Sequence, residues 1–178
     1  MSEQTGAATS PVIPPAEPES DAADRTPFTA AAKVVKHVQL AAIHFGDFSA
    51  RAMDAEAIPE EEKIAASTVF LKPTCSRSGE GFSTKTLLNF QMKGSGDGAK
   101  LYAVASATLE ATYTLKPEAP SFEDEDLDDF ALCYCPFHVW GYWREFVQSS
   151  LARLDLPQVT VPLFLIAQAP QMVRDKLD

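Results

Sequence analysis

A cysteine–histidine cluster is the first place in this sequence where chemically reactive side chains lie close together. Cys133, Cys135 and His138 form a C-x-C-x-x-H pattern, and thiolates and imidazoles are ligands that zinc prefers. A structural zinc site needs four ligands, however, and no fourth ligand is apparent. Cysteines that lie beside aromatic residues commonly behave as small buried hydrophobic side chains. We therefore predict neither a metal site nor a reactive thiol here.

Three other arrangements could carry chemistry, and each has a simpler structural interpretation. His37 and His44 lack a serine, cysteine or carboxylate that could form a catalytic arrangement with them. Arg144 and Glu145 are adjacent on a predicted helix, so their side chains point in different directions. The glycine-rich stretch 94–98 joins two predicted strands and precedes no helix, unlike a phosphate-binding loop. The sequence therefore predicts no catalytic residues and no cofactor, and an enzyme is the least favoured function class.

Composition limits the partners and the compartment. The chain carries 15 basic and 25 acidic residues, a formal net charge of −10, which argues against nucleic acid and anionic membranes as partners. No apolar run reaches the length of a bilayer span, and the N-terminus lacks a secretory signal pattern. Three cysteines form an odd set without framework spacing, which fits a reducing compartment. We expect a soluble, cytoplasmic protein.

The chain divides into a tail and one domain. Residues 1–32 are rich in proline, alanine and acidic residues, so they offer too little apolar surface to form a packed core. We predict that this tail is disordered and that residues 33–178 form a single domain.

Four strands are predicted in the first half of the domain. They cover 34–48, 65–72, 84–93 and 101–116, and the loop at 94–98 makes the last two antiparallel neighbours. In the first, the apolar phase switches near residues 41–42, which indicates a bulge or a strand buried on both faces. In the last, one face is apolar but flat, because half of its side chains are alanine. Another helix layer or a second subunit can approach such a face closely.

Helices are predicted in the second half. The composition of residues 76–81 predicts a turn between the second and third strands. After the last strand, the acidic run 123–129 could cap a short helix that ends at Cys135. Pro136 would then begin a long helix that ends before Pro157. Its apolar face carries both tryptophans of the chain, so it must be covered by a sheet, a helix or a partner chain. The order of strands and then helices indicates an α+β domain.

Several motifs resemble the SecB family of export chaperones. The most specific are Cys135-Pro136, the run 142–145 (YWRE) and the run 156–159 (LPQV), and the similarity extends over 33–166. The resemblance implies a four-stranded antiparallel sheet followed by a short helix, a long helix, an extended crossing and a last helix. It also implies a tetramer built as a dimer of dimers. Such proteins hold unfolded polypeptides without ATP and can hand them to the SecA motor.

The resemblance is incomplete at the surface through which family members meet SecA. In the family, carboxylates on strands one and four occupy this surface, whereas this chain has Ala42, Gly46 and Ser106 there, with Val104 at the accompanying apolar place. Delivery to SecA is therefore a weaker expectation than client binding. Divergent SecB-like proteins also serve as chaperones for antitoxins, and that role is compatible with these differences.

Aromatic residues are the candidates for client binding and assembly, and periodicity alone does not separate the two roles from an ordinary core. We predict client contacts at Phe45, Phe48, Trp140, Phe137 and Tyr113. We predict oligomer contacts at Trp143, Phe146, Val147 and Leu151. The expected partners are unfolded polypeptides and further copies of the chain, with SecA or an antitoxin as narrower possibilities. An adaptor subunit that lacks chaperone activity remains the alternative from another class.

Overall fold

A computed structural model describes residues 26–53, 58, 64–95, 99–162, 164 and 173–174. The elements in chain order are α1 (Pro27–Val35), β1 (Val38–Ala52), β2 (Ile64–Leu71), β3 (Thr74–Ser78), β4 (Gly81–Gly94), β5 (Leu101–Leu115), α2 (Asp124–Arg153) and β6 (Val173–Arg174). Within the described part of the chain, every helix is too short or too polar to cross a bilayer.

Helix α1 begins inside the predicted tail. Thr26 caps it, because the Thr26 hydroxyl accepts a hydrogen bond from the Thr29 amide and the Thr29 hydroxyl accepts one from the Thr26 amide. Pro27 occupies the first helical position, where its missing N–H has no cost. The ordered fold therefore starts before the predicted boundary at residue 33. Residues 1–25 of the predicted tail lie outside the described residues.

The sheet has the predicted antiparallel character but more strands than predicted. Its order is β1-β5-β4-β2, and β3 pairs with β4 beside β2. The two-residue β6 adds a parallel pairing to β2. The chain turns within the predicted range 76–81, at Gly79, where φ is +55°. The predicted turn was too long, because residues 76–78 belong to the strand β3 (Thr74–Ser78). The serine-rich composition of this stretch gave no indication of a strand. β3 pairs with the N-terminal part of β4, whereas β2 pairs with the C-terminal part.

Two bulges place the apolar side chains of β1 on one face. The β1–β5 register shifts between Leu40 and Ala42 and again between Phe45 and Phe48. An extra residue reverses the alternation of side chains along a strand. As a result Leu40, Ile43, Phe45 and Phe48 all lie opposite the inward-facing residues of β5. The predicted bulge near residues 41–42 is therefore confirmed.

Helix α2 is one continuous helix of 30 residues, so the predicted short helix before Pro136 was wrong. It starts at Asp124 after the cap residue Glu123, and the acidic residues of its first turn favour the positive end of the helix dipole. Pro136 lies in its interior and is buried. The missing N–H of Pro136 does not end the helix, because apolar residues on both sides of it pack in the same core. The helix ends at Arg153, and Asp155 follows in the left-handed region with φ 54°.

The core lies between the sheet and the two helices. The inner face of β5 is lined by buried alanines, which allow α2 to approach closely, as the flat face predicted. Helix α1 packs against α2 from the other side. Between Phe130 and Pro136, α2 is therefore buried or half-buried on all sides. The predicted last helix falls mostly outside the described residues, and Val173–Arg174 form a strand where that helix was expected.

Candidate functional site

An aromatic cluster is exposed at the edge of the sheet. The rings of Phe45 and Phe48 on β1 lie 6.1 Å apart, and each is 5.7 Å from the ring of Phe146 on α2. Phe48 is 65 % exposed and Phe45 is 38 % exposed. We call these three residues the β1 aromatic patch. Exposed aromatic rings in contact with one another are typical of a surface that binds another chain.

The patch is exposed because β1 is an edge strand. Among the described residues, β1 pairs with β5 alone, so its other edge presents unpaired backbone N–H and C=O groups. Leu40, on the same face as Phe45, is also exposed. Helix α2 covers the inner face of β5 but reaches β1 mainly through Phe146. One side of the subunit therefore combines an open strand edge with a strip of uncovered apolar side chains.

A cleft lies near the opposite edge of the sheet, between β2 and the extended segment 157–162 that follows α2. It encloses about 180 Å³ and is lined by side chains that include Thr68, Phe90, Trp140 and Val161. The Trp140 indole N–H donates to the Pro162 carbonyl over 2.8 Å, which holds the extended segment against the helix. We call this the β2 cleft. Its apolar floor and its strand edge are suited to an extended segment of polypeptide.

The five predicted client-binding residues fall in four places. Phe45 and Phe48 lie together in the β1 aromatic patch, and Trp140 lines the β2 cleft, although only 4 % of it is exposed. Phe137 is about half exposed on α2, where its ring contacts His138. Tyr113 is buried in the core and would reach a client only if α2 moved. These assignments stay predictions.

The predicted oligomer residues also separate. Trp143, Val147 and Leu151 are buried within their own subunit, and the Trp143 indole N–H lies 3.4 Å from the Thr68 hydroxyl. Phe146 instead joins the β1 aromatic patch. A residue predicted for assembly and two predicted for client binding therefore share one surface. The helical spacing of Phe146 could not reveal this shared surface. Phe45 and Phe48 reach Phe146 because β1 pairs with β5, which is distant in the sequence.

The lining of the β2 cleft contains residues that sequence reasoning missed. Thr68 and Phe90 were assigned only to strands, and Val161 only to an extended run. Thr68 and Phe90 are cross-strand partners, so their proximity depends on the β2–β4 register. The proline-bounded run 157–162 was the available signal, since it indicates an extended segment without a sheet partner of its own.

The cysteine–histidine pattern does not come together as a set of ligands. The Cys135 thiol lies 2.8 Å from the Thr84 hydroxyl and 3.3 Å from the Thr86 hydroxyl, and burial raises its pKa. Burial and the nearby Asp129 raise the pKa of Cys133 to about 11. High thiol pKa values disfavour the thiolate that metal binding and nucleophilic attack require. Across the described ranges, no group of three or more His, Cys, Asp or Glu side chains could hold a metal ion.

His138 is instead part of a half-buried polar contact between helix and sheet. Its Nδ1 atom is 2.9 Å from the Tyr113 hydroxyl. Burial, more than any other influence, raises the pKa of Tyr113, so the hydroxyl stays protonated and can donate to a neutral imidazole. Burial also lowers the pKa of His138 below its ordinary value of 6.5. Folding therefore favours the neutral form of this histidine.

Stability should accordingly decrease in mild acid. Below pH 6.5 the unfolded chain takes up a proton at His138 that the folded chain binds less well, so the free energy of unfolding falls as the pH falls. Urea unfolding between pH 7.5 and 5.5 measures this slope. Replacing His138 with glutamine, which can still accept from Tyr113, should make the slope shallower. An unchanged slope in His138→Gln would contradict the role assigned to His138.

The remaining candidates for chemistry form no catalytic arrangement. The Nε atom of Arg144 is buried without a hydrogen-bond partner in the described structure, whereas Glu145 is exposed. The His37 ring lies 5.9 Å from the ring of Phe122. His44 is exposed on β1 opposite Glu110. None of these pairs joins a nucleophile to a base.

Comparison with solved structures identifies the fold as SecB-like. The chain is similar to a SecB-like chaperone of Mycobacterium tuberculosis in complex with a ChAD peptide from the HigA1 antitoxin, with a TM-score of 0.66 and 17 % sequence identity over 78 % of this chain and 98 % of that chain. A protein of unknown function from Streptococcus agalactiae matches with a TM-score of 0.32 and 12 % identity over 71 % of this chain and 97 % of that chain, which is too low to support any inference. No family model matches the chain, and no curated protein sequence matches it.

Proposed function

We propose that this protein is a cytoplasmic, ATP-independent chaperone that binds non-native polypeptides. The observation that carries the proposal is the β1 aromatic patch, in which a ring that is 65 % exposed makes edge-on contacts with two others at an open strand edge. An exposed apolar surface of this kind is unfavourable in water unless it is covered for part of the time. Unfolded polypeptides expose the apolar side chains that such a surface can bind without sequence selectivity.

The β2 cleft supports the same function through a second kind of contact. Among the described residues, the outer edge of β2 is paired only at Phe70–Leu71, by β6. Residues 64–69 of β2 therefore offer backbone groups to an incoming extended chain. The side chains of the incoming chain would enter the cleft and contact Phe90, Trp140 and Val161. Backbone hydrogen bonds supply affinity that does not depend on sequence, as a chaperone for many clients requires.

The assembly proposed with this function is a homotetramer arranged as a dimer of dimers. The free edge of β1 is 15 residues long, and pairing with β1 of a second copy would extend the sheet and satisfy its backbone groups. That pairing would also bring a second copy close to the β1 aromatic patch. The patch then has two possible occupants, a client or another subunit, and measurements at different protein concentrations distinguish them.

A dedicated antitoxin chaperone is the second candidate function. It is favoured by the similar mycobacterial structure, in which a SecB-like chaperone is in complex with an antitoxin peptide. Export with delivery to SecA is weaker, because Ala42, Gly46 and Ser106 leave the corresponding sheet face without the family's carboxylates. A non-chaperone adaptor would keep the fold without binding unfolded chains.

Aggregation of unrelated denatured clients tests the proposal. Each client is diluted from denaturant into buffer without nucleotide, in the presence of increasing amounts of this protein, and light scattering is followed. A general chaperone suppresses scattering of several clients near one tetramer per client. Suppression for an antitoxin alone supports the dedicated role. No suppression of any client, including antitoxins, would contradict chaperone function and favour an adaptor.

A further inference from the structure

A proline-rich motif in the N-terminal tail has the chemistry that the β1 aromatic patch is suited to bind. Residues 11–15 read PVIPP, so Pro11 and Pro14 form a P-x-x-P pattern around Val12 and Ile13. The predicted tail contains no other valine, isoleucine or leucine. Closely spaced prolines favour the polyproline II conformation, and aromatic-lined grooves bind P-x-x-P segments in that conformation. We call residues 11–15 the tail motif.

The tail motif is unsuited to pairing with the edge of a strand. Proline has no backbone N–H, so three of the five residues of the motif cannot donate a hydrogen bond to a β-ladder. Binding of the motif therefore has to come from its side chains and proline rings. This disfavours the free edge of β2 as its site and favours a surface made of exposed aromatic rings.

The β1 aromatic patch provides such a surface. The centroids of its three rings lie 5.7 to 6.1 Å apart, and the rings are inclined to one another by 51° to 75°. Rings at these angles leave grooves between them, into which proline rings and branched aliphatic side chains can pack. One turn of polyproline II contains three residues and rises about 9 Å, so it is long enough to cross the patch.

The other exposed aromatic residues of the described structure do not form a comparable surface. Phe137 and Tyr142 are each about half exposed on α2. Five residues separate them, so their side chains point about 140° apart around the helix. Trp140 lines the β2 cleft but is only 4 % exposed, and its indole N–H already donates to the Pro162 carbonyl. The β1 aromatic patch is therefore the best match for the tail motif.

The segment between the tail motif and the folded domain is long enough to allow this contact. The ten residues 16–25 connect the motif to Thr26, which caps α1. An extended chain of that length spans up to roughly 35 Å, whereas a compact domain of this size has a radius of gyration of roughly 15 Å. Helix α1 also packs against α2, the helix that carries Phe146. A short linker of this kind gives the motif an effective concentration on the order of millimolar at the patch.

We propose that the tail motif occupies the β1 aromatic patch of its own chain, as a third occupant that competes with a client or another subunit. The proline rings and the side chains of Val12 and Ile13 pack against Phe45 and Phe48 and cover part of the exposed rings. Because the contact forms within one chain, weak packing is enough to keep the patch occupied for much of the time. The consequence for clients rests on the proposed chaperone function, since a client would then have to displace the motif.

Fluorine NMR of a peptide tests the contact without any client. The peptide covers residues 8–18 and carries an N-terminal trifluoroacetyl group, and broadening of its signal measures binding to the full-length protein. Val12→Ser/Ile13→Ser removes the chain's own motif, so this variant should bind the peptide about threefold more tightly than the unchanged protein. Adding Phe48→Ser to that variant should weaken peptide binding about tenfold, because the peptide loses its most exposed ring.

A control variant and a dilution series separate the motif from other effects. Ala22→Ser/Ala23→Ser alters the linker but not the motif, so peptide binding should stay within about twofold of that to the unchanged protein. Competition within one chain does not depend on protein concentration, so the advantage of Val12→Ser/Ile13→Ser should persist on dilution. An advantage that disappears on dilution would mean that the tail of a second copy occupies the patch, which would overturn the proposal.

Three further results would overturn the proposal. The first is that the peptide does not bind the Val12→Ser/Ile13→Ser protein, and the second is that it binds this variant no more tightly than the unchanged protein. The third is that Phe48→Ser leaves peptide binding unchanged, because the peptide would then bind elsewhere. Circular dichroism shows whether each variant is folded, and Phe45→Ser provides the same test if Phe48→Ser is not. The peptide experiment contains no client, so a failure of the proposed chaperone function is recognised separately by light scattering.

Discussion

Phe48→Ser is expected to raise the amount of protein needed to suppress aggregation by about tenfold. Phe48 is 65 % exposed, so its ring is available to a client and contributes little to folding of the subunit. Burying a large apolar side chain contributes roughly 1.5–3 kcal/mol, and 1.4 kcal/mol corresponds to a factor of ten in binding. Light scattering with two unrelated clients measures the change, and Phe45→Ser should act in the same direction.

Tyr142→Ser is the control for this prediction. Tyr142 is 50 % exposed on α2 but makes no ring contact with the members of the β1 aromatic patch among the described residues. Its loss should leave aggregation suppression within twofold of the unchanged protein. Equal effects of Phe48→Ser and Tyr142→Ser would mean that clients do not bind preferentially at the β1 aromatic patch. Sedimentation of both variants over a range of concentrations shows whether Phe48 acts through client binding or through assembly.

Trp143→Ala should lower the free energy of unfolding by about 3–5 kcal/mol, as large-to-small changes at buried aromatic positions do. Trp143 has no exposed surface, its ring lies 5.7 Å from that of Phe146, and its indole N–H approaches the Thr68 hydroxyl. Trp143→Phe keeps most of the apolar volume and loses only the indole contact, so we expect a loss of about 1–2 kcal/mol. Urea unfolding monitored by circular dichroism measures both values.

The dependence on protein concentration decides whether Trp143 serves the subunit or the assembly. If Trp143 packs within its own chain, the loss of stability is the same at all protein concentrations. If it supports subunit contacts, as the helix pattern predicted, the loss grows on dilution, because association stabilises the folded state by mass action. A loss below 1 kcal/mol for Trp143→Ala would contradict its placement in the core.

Regular alternation made the sheet predictable, while its short elements were not. β5 alternates over its whole length, and its antiparallel pairing with β4 follows from the loop that joins them. β3 is only five residues long and polar, so its identity as a strand depends on the free half of β4 and not on its own sequence. Pro136 normally indicates a helix start, yet core packing on both sides keeps α2 continuous.

The candidate site was predictable only in part, because its surfaces are assembled across the fold. Phe45 and Phe48 were identifiable as aromatic residues of the first predicted strand, but its position at the edge of the sheet was not. Their contact with Phe146 requires the second bulge, between Phe45 and Phe48, and the position of α2, neither of which local periodicity specifies. Burial of Tyr113 was equally hidden, since an alternating strand does not show which of its apolar residues a helix will cover.

Direct detection of a complex with an unfolded chain tests the central claim. A client that is kept unfolded by reduction and alkylation would be mixed with this protein without nucleotide and analysed by size-exclusion chromatography with multi-angle light scattering. We predict one species whose mass equals one assembly of this chain plus one client, and that Phe48→Ser yields less of it. Separate elution of the client and the protein at micromolar concentrations of both would contradict the chaperone function.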